Sequence, residues 1–108
     1  MMDQPWKPAD ATLIIRRLAN DSKLKLQWTK HAKDRLSERD LIISDVLYVL
    51  KQGIVYEDGE QSTQPGLYKY LIESRAPNSG NRVVRLVVIP DEPRIWIKLV
   101  SVMWVDEA

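Results

Sequence analysis

The chain has 108 residues, the usual size of a single domain, and its 44% hydrophobic residues are enough to form one buried core. A net charge of +1 argues against a general polyanion binder, and 29% charged residues argue against a disordered tail. The absence of cysteine excludes disulfides and thiolate metal sites, and no apolar run reaches the roughly 20 residues of a membrane span. We therefore expect a cytoplasmic protein without an export signal and without membrane contact.

Helical periodicity dominates the first half of the chain. Asp10 is the expected cap of a first helix in which Leu13, Ile14 and Leu18 share one face, and residues 20–22 end it. Residues 24–28 alternate apolar and polar side chains, which indicates either a short strand or an extended linker.

A second, basic helix follows, with Thr29 as its cap and with Ala32 and Leu36 facing inward. Residues 16–39 contain more lysines and arginines than acidic residues, so this part of the chain is locally positive. The helical spacing predicts one cationic stripe on the second helix, formed by His31, Arg35 and Arg39.

A third helix is predicted from Ser44 as its cap to Gly53 at its end, with Ile43 and Tyr48 forming a hydrophobic staple. After Gly53 the apolar period changes to two, which predicts strands at residues 54–57, 67–74, 82–89 and 94–105, with a polar loop at 59–66. The expected fold class is α+β: N-terminal helices packed on one face of a C-terminal, mainly antiparallel four-stranded sheet.

Symmetric hairpin turns would place Leu71 opposite Arg85 and Arg85 opposite Lys98, and residues 90–93 would end the ladder at their prolines. One face of the sheet is then apolar enough to pack under the helices. The other face carries charged residues and a tryptophan among valines, namely Lys69, Glu73, Arg85, Trp96 and Lys98. We expect the basic second helix to border it. Like charges in opposite positions require a nearby carboxylate, such as Glu73, or an anionic ligand.

His31 and Arg35 are one candidate site, because histidine moves protons near neutral pH and arginine binds phosphate in a planar fork. The alternative is a histidine that only caps or packs. Arg85, Lys98 and Trp96 are a second candidate, and the alternative there is a solvated face with long side chains lying across apolar surface. The sequence has no Gly-rich phosphate loop, no Gly-x-Ser-x-Gly elbow and no second histidine, so we expect neither a cofactor nor a metal.

Residues 29–39 read Thr-Lys-His-Ala-Lys-Asp-Arg-Leu-Ser-Glu-Arg, and Leu-Ile-Ile-Ser-Asp-Val follows from residue 41. This motif resembles domain-of-unknown-function family 4258, whose pattern is His-Ala-x-x-Arg, then Glu-Arg, then a helix ending before Gly, then a sheet. The resemblance covers about residues 28–104. We therefore expect a single domain, residues 1–108, with an N-terminal extension at 1–23 that carries the first helix and a family-like core at 28–104.

The resemblance implies membership in the barnase, EndoU, colicin and RelE group of nucleases, with the RelE and MqsR toxins as more distant relatives. It implies a toxin-type, metal-independent endoribonuclease, a hydrolase of the cytoplasm with an RNA substrate and a cognate antitoxin. Attack of the ribose 2′-hydroxyl on the adjacent phosphate would cleave the strand. His31 would act as general base or acid, and Arg35 and Arg85 would stabilise the charged phosphorane-like state.

Five further residues are expected to bind the RNA: Arg39, Arg82 and Lys98 at its backbone, and Trp96 and Tyr68 by stacking on a base. The family's usual Gly after Glu-Arg is Asp40 here, which places a negative charge near the proposed site. Two alternatives remain open. One is a non-catalytic binding module of RelE fold that docks a protein or nucleic acid as a mobile-element or regulatory factor, and the other is a degenerate domain kept for structure.

Overall fold

The computed structural model describes residues 2–107. Within these residues, three helices and six strands follow one another as α1 (Pro8–Ala19), β1 (Lys25–Trp28), α2 (Lys30–Glu38), α3 (Ile43–Gln52), β2 (Ile54–Val55), β3 (Glu60–Gln61), β4 (Tyr68–Ser74), β5 (Val84–Asp91) and β6 (Trp96–Trp104). The strands lie in the order β1-β6-β5-β4-β2, and β3 also pairs with β4. The α+β class is confirmed. Within the described part of the chain, each helix is too short or too polar to cross a lipid bilayer.

The prediction of a four-stranded sheet is wrong, because the sheet has six strands and is mixed; it is nevertheless mainly antiparallel, as predicted. The short segment left open between strand and linker is β1, which pairs parallel to β6, with Lys25 opposite Trp96 and Trp28 opposite Leu99. The segment expected to be a polar loop contains β3, whose two residues pair with Tyr68 and Lys69. Strands of two and four residues are too short for alternation to distinguish them from loops.

Helices α1 and α3 cover one face of the sheet, which forms the core with them. The predicted apolar face is confirmed: its central residues are almost fully buried, namely Tyr70, Ile72, Val84, Leu86, Val88, Ile97 and Leu99. The N-terminal extension closes this core, because Trp6 stacks on Tyr70 with 5.4 Å between ring centroids. Burial raises the pKa of the Tyr70 hydroxyl, which accepts a hydrogen bond from the backbone N–H of Trp6.

The helix caps differ in part from those predicted. Helix α1 begins at Pro8, so Asp10 lies in its first turn and is not its cap. Helix α3 begins at Ile43 and contains Ser44, because Asp45 instead accepts the N–H of Ile42 at 2.9 Å. A longer carboxylate that reaches back across the turn thus replaces the expected hydroxyl cap.

Two other caps are confirmed. Thr29 caps α2 by accepting the backbone N–H of Ala32 at 3.0 Å. Gly53 ends α3, where a Cβ atom would approach the Val49 carbonyl oxygen to 2.5 Å. The close approach of the backbone explains why this position holds glycine.

The predicted strand register is wrong in both hairpins. Arg85 lies opposite Glu73, not Leu71, and on its other side opposite Met103, not Lys98. Strand β5 runs two residues further than predicted, so the β5–β6 turn occupies residues 92–95. A bulge between Val87 and Val88 then shifts the register once more.

Pro90 does not end β5, contrary to the prediction. It pairs with Ile97 of β6, while on its other side the side chain of Gln4 donates to the Pro90 carbonyl oxygen at 2.9 Å. The same Gln4 amide accepts the backbone N–H of Tyr68 at 2.8 Å. A side chain from the N-terminal extension therefore bridges β4 and β5 here, because it donates to the Pro90 carbonyl and accepts from the Tyr68 backbone.

Candidate functional site

The face of the sheet opposite α1 and α3 is not covered by helices, and we call it the open face. It presents residues from neighbouring strands in three rows. The rows are Glu73, Arg85 and Met103; Leu71, Val87 and Ser101; and Lys69, Ile89 and Lys98. Charged and polar side chains here alternate with the buried ones of the core face, as the period of a strand requires.

Helix α2 starts against the exposed edge of β6, just beyond the end of β1. The backbone N–H of Thr29 donates to the carbonyl oxygen of Leu99, and the Thr29 hydroxyl donates to that of Val100. This anchoring brings His31 to the open face, where its Nε2 atom lies 3.1 Å from the Ser101 hydroxyl. The expectation that the basic helix borders this face is confirmed.

Arg85 and Glu73 form an ion pair in the centre of the open face. The Arg85 Nε–H donates to Glu73 Oε2 at 2.8 Å, and the two side chains are only 29% and 18% exposed. With Tyr56, Glu57 and Leu71 they line a pocket of about 180 Å³. The carboxylate expected beside Arg85 is therefore Glu73.

Arg85 retains unused hydrogen-bonding capacity. Among residues 2–107, Glu73 is its one hydrogen-bond acceptor, and the bond uses Nε. The two terminal nitrogens of the guanidinium carry the remaining donors, which are the ones that bind two oxygens of a phosphate at once.

Trp96 and Lys98 lie on the same open face, nearer to the start of β6 than Ser101. The Trp96 indole N–H donates to the side-chain oxygen of Gln27 at 3.2 Å, which fixes the ring against β1. Lys98 lies opposite Gln27 on one side and opposite Ile89 on the other. Both predicted RNA-binding side chains therefore share a surface with His31 and Arg85.

Arg35 and Arg39 lie towards the other end of α2, where carboxylates neutralise them. Arg35 pairs with Glu38 at 3.1 Å, while Arg39 donates from Nε and Nη2 to Glu107 and from Nη1 to the Arg35 carbonyl oxygen. The hydrogen bond from Arg39, together with one from the Trp104 backbone, lowers the pKa of the Glu107 carboxyl below its usual range. The predicted stripe is therefore divided into a histidine end and an arginine end.

Arg82 and Tyr68 lie away from the open face. The Arg82 guanidinium stacks 4.2 Å over the Trp104 ring and pairs with Asp106, whose pKa this hydrogen bond lowers. Tyr68 packs against the core on the helix-covered side of the sheet. Strand alternation therefore turns Tyr68 away from Arg85, and the contacts with Trp104 and Asp106 hold Arg82 away from it.

Sequence reasoning did not identify Ser101 or Lys69 as site residues. Ser101 interrupts an otherwise apolar run in β6, and such a polar residue on a half-buried strand is a recognisable signal. Lys69 alternates with the core tyrosines Tyr68 and Tyr70, so its place on the opposite face follows from parity alone. The sequence predicts the polar loop at residues 59–66, but nothing in it indicates that this loop packs beside Lys69.

In the part of the chain that the structure describes, no three histidine, aspartate or glutamate side chains are grouped closely enough to hold a metal ion. Comparison with protein families matches residues 28–104 to a domain of unknown function, DUF4258. No curated protein and no solved structure matches the chain. The family match includes α2, the anchoring Thr29 and the strands β4, β5 and β6, which carry the three rows of the open face. It covers well over half of the 108 residues, and the chain therefore belongs to the DUF4258 family.

Proposed function

We propose that this protein is a toxin-type endoribonuclease that cleaves single-stranded RNA on its open face without a metal ion. The ribose 2′-hydroxyl attacks the adjacent phosphate, and the products are a 2′,3′-cyclic phosphate and a free 5′-hydroxyl. The observation that carries the proposal is the juxtaposition of His31 with the Arg85–Glu73 pair on one uncovered surface.

The spacing of these groups suits a single phosphodiester. Ser101, which holds His31, lies opposite Val87, so Arg85 is its diagonal neighbour on β5. Diagonal neighbours have Cβ atoms roughly 7–8 Å apart, a gap that the long side chains on both sides close. A phosphate between the imidazole and the guanidinium is thus within reach of both.

Each group has a chemical role that matches its surroundings. The two terminal nitrogens of Arg85 bind the non-bridging phosphate oxygens and stabilise the charge that grows as the phosphorane forms. Glu73 and His31 act as the general base and the general acid of the reaction. One accepts the proton that leaves the 2′-hydroxyl, and the other donates a proton to the departing 5′-oxygen. Trp96 offers an aromatic surface on which a neighbouring base can stack.

The family resemblance supports the same reading, because it links the His-Ala-x-x-Arg motif to RelE-like toxins. The basic residues of that motif have different surroundings. His31 borders the open face, whereas Arg35 and Arg39 are held by Glu38 and Glu107. In this proposal the two arginines stiffen α2 and Arg85 alone contacts the reacting phosphate.

The test is incubation of the purified protein with single-stranded RNA in the presence of EDTA. We expect cleavage that ends in cyclic phosphates, and we expect His31→Ala to slow it by about 100-fold or more. His31 is exposed, so the variant should fold, and Lys33→Ala, at another exposed cation of α2, is the matched control. Absence of cleavage on every RNA tried, or undiminished cleavage by His31→Ala, would overturn the proposal.

A second candidate is non-catalytic docking of a partner protein, such as the cognate antitoxin, on the same face. Acidic side chains favour it: Glu57, Asp58 and Glu60 line a groove beside Lys69 and repel a nucleic acid backbone there. This function would leave RNA intact. It would instead give a salt-sensitive complex with the protein partner that Glu60→Gln weakens.

A further inference from the structure

A second cavity on the open face, which we call the lysine pocket, has a volume of about 390 Å³. It lies between the start of α2 and the loop that follows β3. Its walls and floor are formed by Thr29, Gln61, Ser62, Thr63, Lys69, Ile89, Lys98 and Val100. The volume is within the range of cavities that hold small ligands in proteins.

The floor of the lysine pocket is apolar and its rim is cationic. Ile89 is only 4% exposed although it lies on the open face, because the two walls shield it. Lys98 pairs directly with Ile89, and Lys69 reaches the same pocket from β4 on the other side. In residues 2–107 no carboxylate is within 4.0 Å of the ammonium group of either lysine.

Within residues 2–107, the acidic groups near the pocket form no ion pair with its two lysines. Glu60 is the cross-strand neighbour of Lys69 but is exposed, and Asp91 on β5 pairs with Arg94 instead. The hydroxyls of Thr29 and Ser62 are already used in hydrogen bonds within the protein. The ammonium groups of the two lysines therefore remain as charged donors that a ligand meets, together with the Gln61 amide and the Thr63 hydroxyl.

The adjacent start of α2 adds positive potential. Its first turn contains no acidic residue and instead carries Lys30 and His31. Because the N-terminus of a helix is itself partially positive, cations in this turn are unfavourable unless an anion is bound nearby. Helices are instead stabilised by acidic residues in the first turn and basic residues in the last turn.

We infer that the lysine pocket binds a phosphate of the RNA strand that neighbours the phosphate being cleaved. Choosing RNA as the source of the phosphate rests on the proposed function, whereas the anion site itself rests on the pocket. Lys98 is three residues from Ser101 along β6, which is about 10 Å. A strand that lies between His31 and Arg85 therefore reaches the pocket with an adjoining nucleotide.

The experiment measures binding of the full-length protein to a fluorescent 2′-O-methyl RNA, which it cannot cleave, at several salt concentrations. We expect Lys69→Gln and Lys98→Gln each to weaken binding by about tenfold. The double variant should reduce the salt slope by about 0.7 for the one phosphate contact that is lost. Lys51→Gln, on the helix α3 that covers the opposite face, is the matched control and should bind as the wild type does.

The outcomes separate the pocket from the proposed function. If wild-type protein cleaves RNA while Lys69→Gln and Lys98→Gln change neither binding nor KM, the pocket inference fails and the nuclease remains. If the lysine variants lose binding but no RNA is ever cleaved, the pocket stands and the nuclease fails. A nucleoside monophosphate that binds as tightly as the oligonucleotide would overturn the strand as the source of the phosphate.

Discussion

Two arginine–carboxylate pairs in this protein have the same chemistry and very different surroundings. Arg85 and Glu73 pair between β5 and β4 on the open face and line a pocket. Arg39 and Glu107 pair where α2 ends beside the end of β6, and there the arginine is 11% exposed. All three guanidinium nitrogens of Arg39 donate to protein acceptors, whereas Arg85 uses only Nε.

The difference shows that donor supply, rather than charge, separates a structural pair from a candidate site. Glu107 also accepts the backbone N–H of Trp104, so the Arg39 pair fastens the C-terminal end of the described chain to α2. A phosphate at Arg39 would have to displace these bonds, but at Arg85 it meets donors that are unused. The comparison therefore predicts that substitutions at the two pairs affect different properties.

The largest expected effect is on turnover at the open-face pair. Glu73→Gln keeps an oxygen that accepts the Arg85 Nε–H but removes the proton-transfer group, so kcat for RNA cleavage should fall by about 100-fold. The free energy of unfolding should change little, because the hydrogen bond survives. Single-turnover cleavage and urea denaturation measure the two quantities.

Glu57→Gln is the control for this prediction, because Glu57 lines the same pocket without forming an ion pair with Arg85. Its kcat should equal that of the wild type. Equal rates for Glu73→Gln and wild type would show that the two pairs do not differ in the way proposed.

The next largest effect is on stability, at the Arg39–Glu107 pair. Arg39→Gln removes several charge-assisted hydrogen bonds of a nearly buried guanidinium. We expect the free energy of unfolding to fall by about 2 kcal/mol at neutral pH, with turnover unchanged. Arg82→Gln is the matched control. The Arg82–Asp106 pair is 45% and 62% exposed, so its loss should lower Tm much less.

The cost of Arg39→Gln should also depend on pH. Because Arg39 lowers the pKa of Glu107 in the folded protein, the pair stabilises fully above the ordinary glutamate pKa of about 4.3. This stabilisation is lost as the pH falls below that value and through the folded-state pKa. Urea midpoints of variant and wild type should therefore converge in acid, and a constant gap would contradict this origin of the stability.

The sequence predicts local features of this fold better than distant ones. Thr29 and the inward pair Ala32 and Leu36 are set by helical spacing within one turn or two, and all three are placed as predicted. The β5–β6 register is different, because it depends on where the turn begins and on a bulge that alternation does not reveal.

The candidate site shows the same limit. Strand parity predicts that Trp96 and Lys98 share a face, because that rule needs only one strand. Arg85 joins them through the bulge, which places Lys98 opposite Ile89 while Met103 lies opposite Arg85. Which arginine finds a carboxylate depends on residues far apart in sequence: Arg39 meets Glu107 across 68 positions. The stripe on α2 consequently looked uniform in sequence although its two ends have different partners.

The smallest expected effect concerns Asp40, which follows Arg39 of the Arg39–Glu107 pair. Asp40 has φ of 54° and follows the last residues of α2, where its N–H donates to the Ser37 carbonyl oxygen and that of Leu41 to Leu36. These two bonds form the helix-ending motif in which glycine is preferred. Asp40→Gly should therefore raise the free energy of unfolding by about 0.5–1 kcal/mol, as measured by urea denaturation.

Two variants separate backbone strain from charge in this prediction. A carboxylate at the C-terminal end of a helix is unfavourable electrostatically, so Asp40→Ala removes the charge but keeps a side chain in the left-handed conformation. If backbone strain dominates, Asp40→Ala gains nothing, and Asp40→Asn, which tolerates this conformation, stays near the wild type. A gain in stability from Asp40→Ala as large as that from Asp40→Gly would instead show that the charge of the carboxylate, rather than backbone strain, destabilises the C-terminal end of α2.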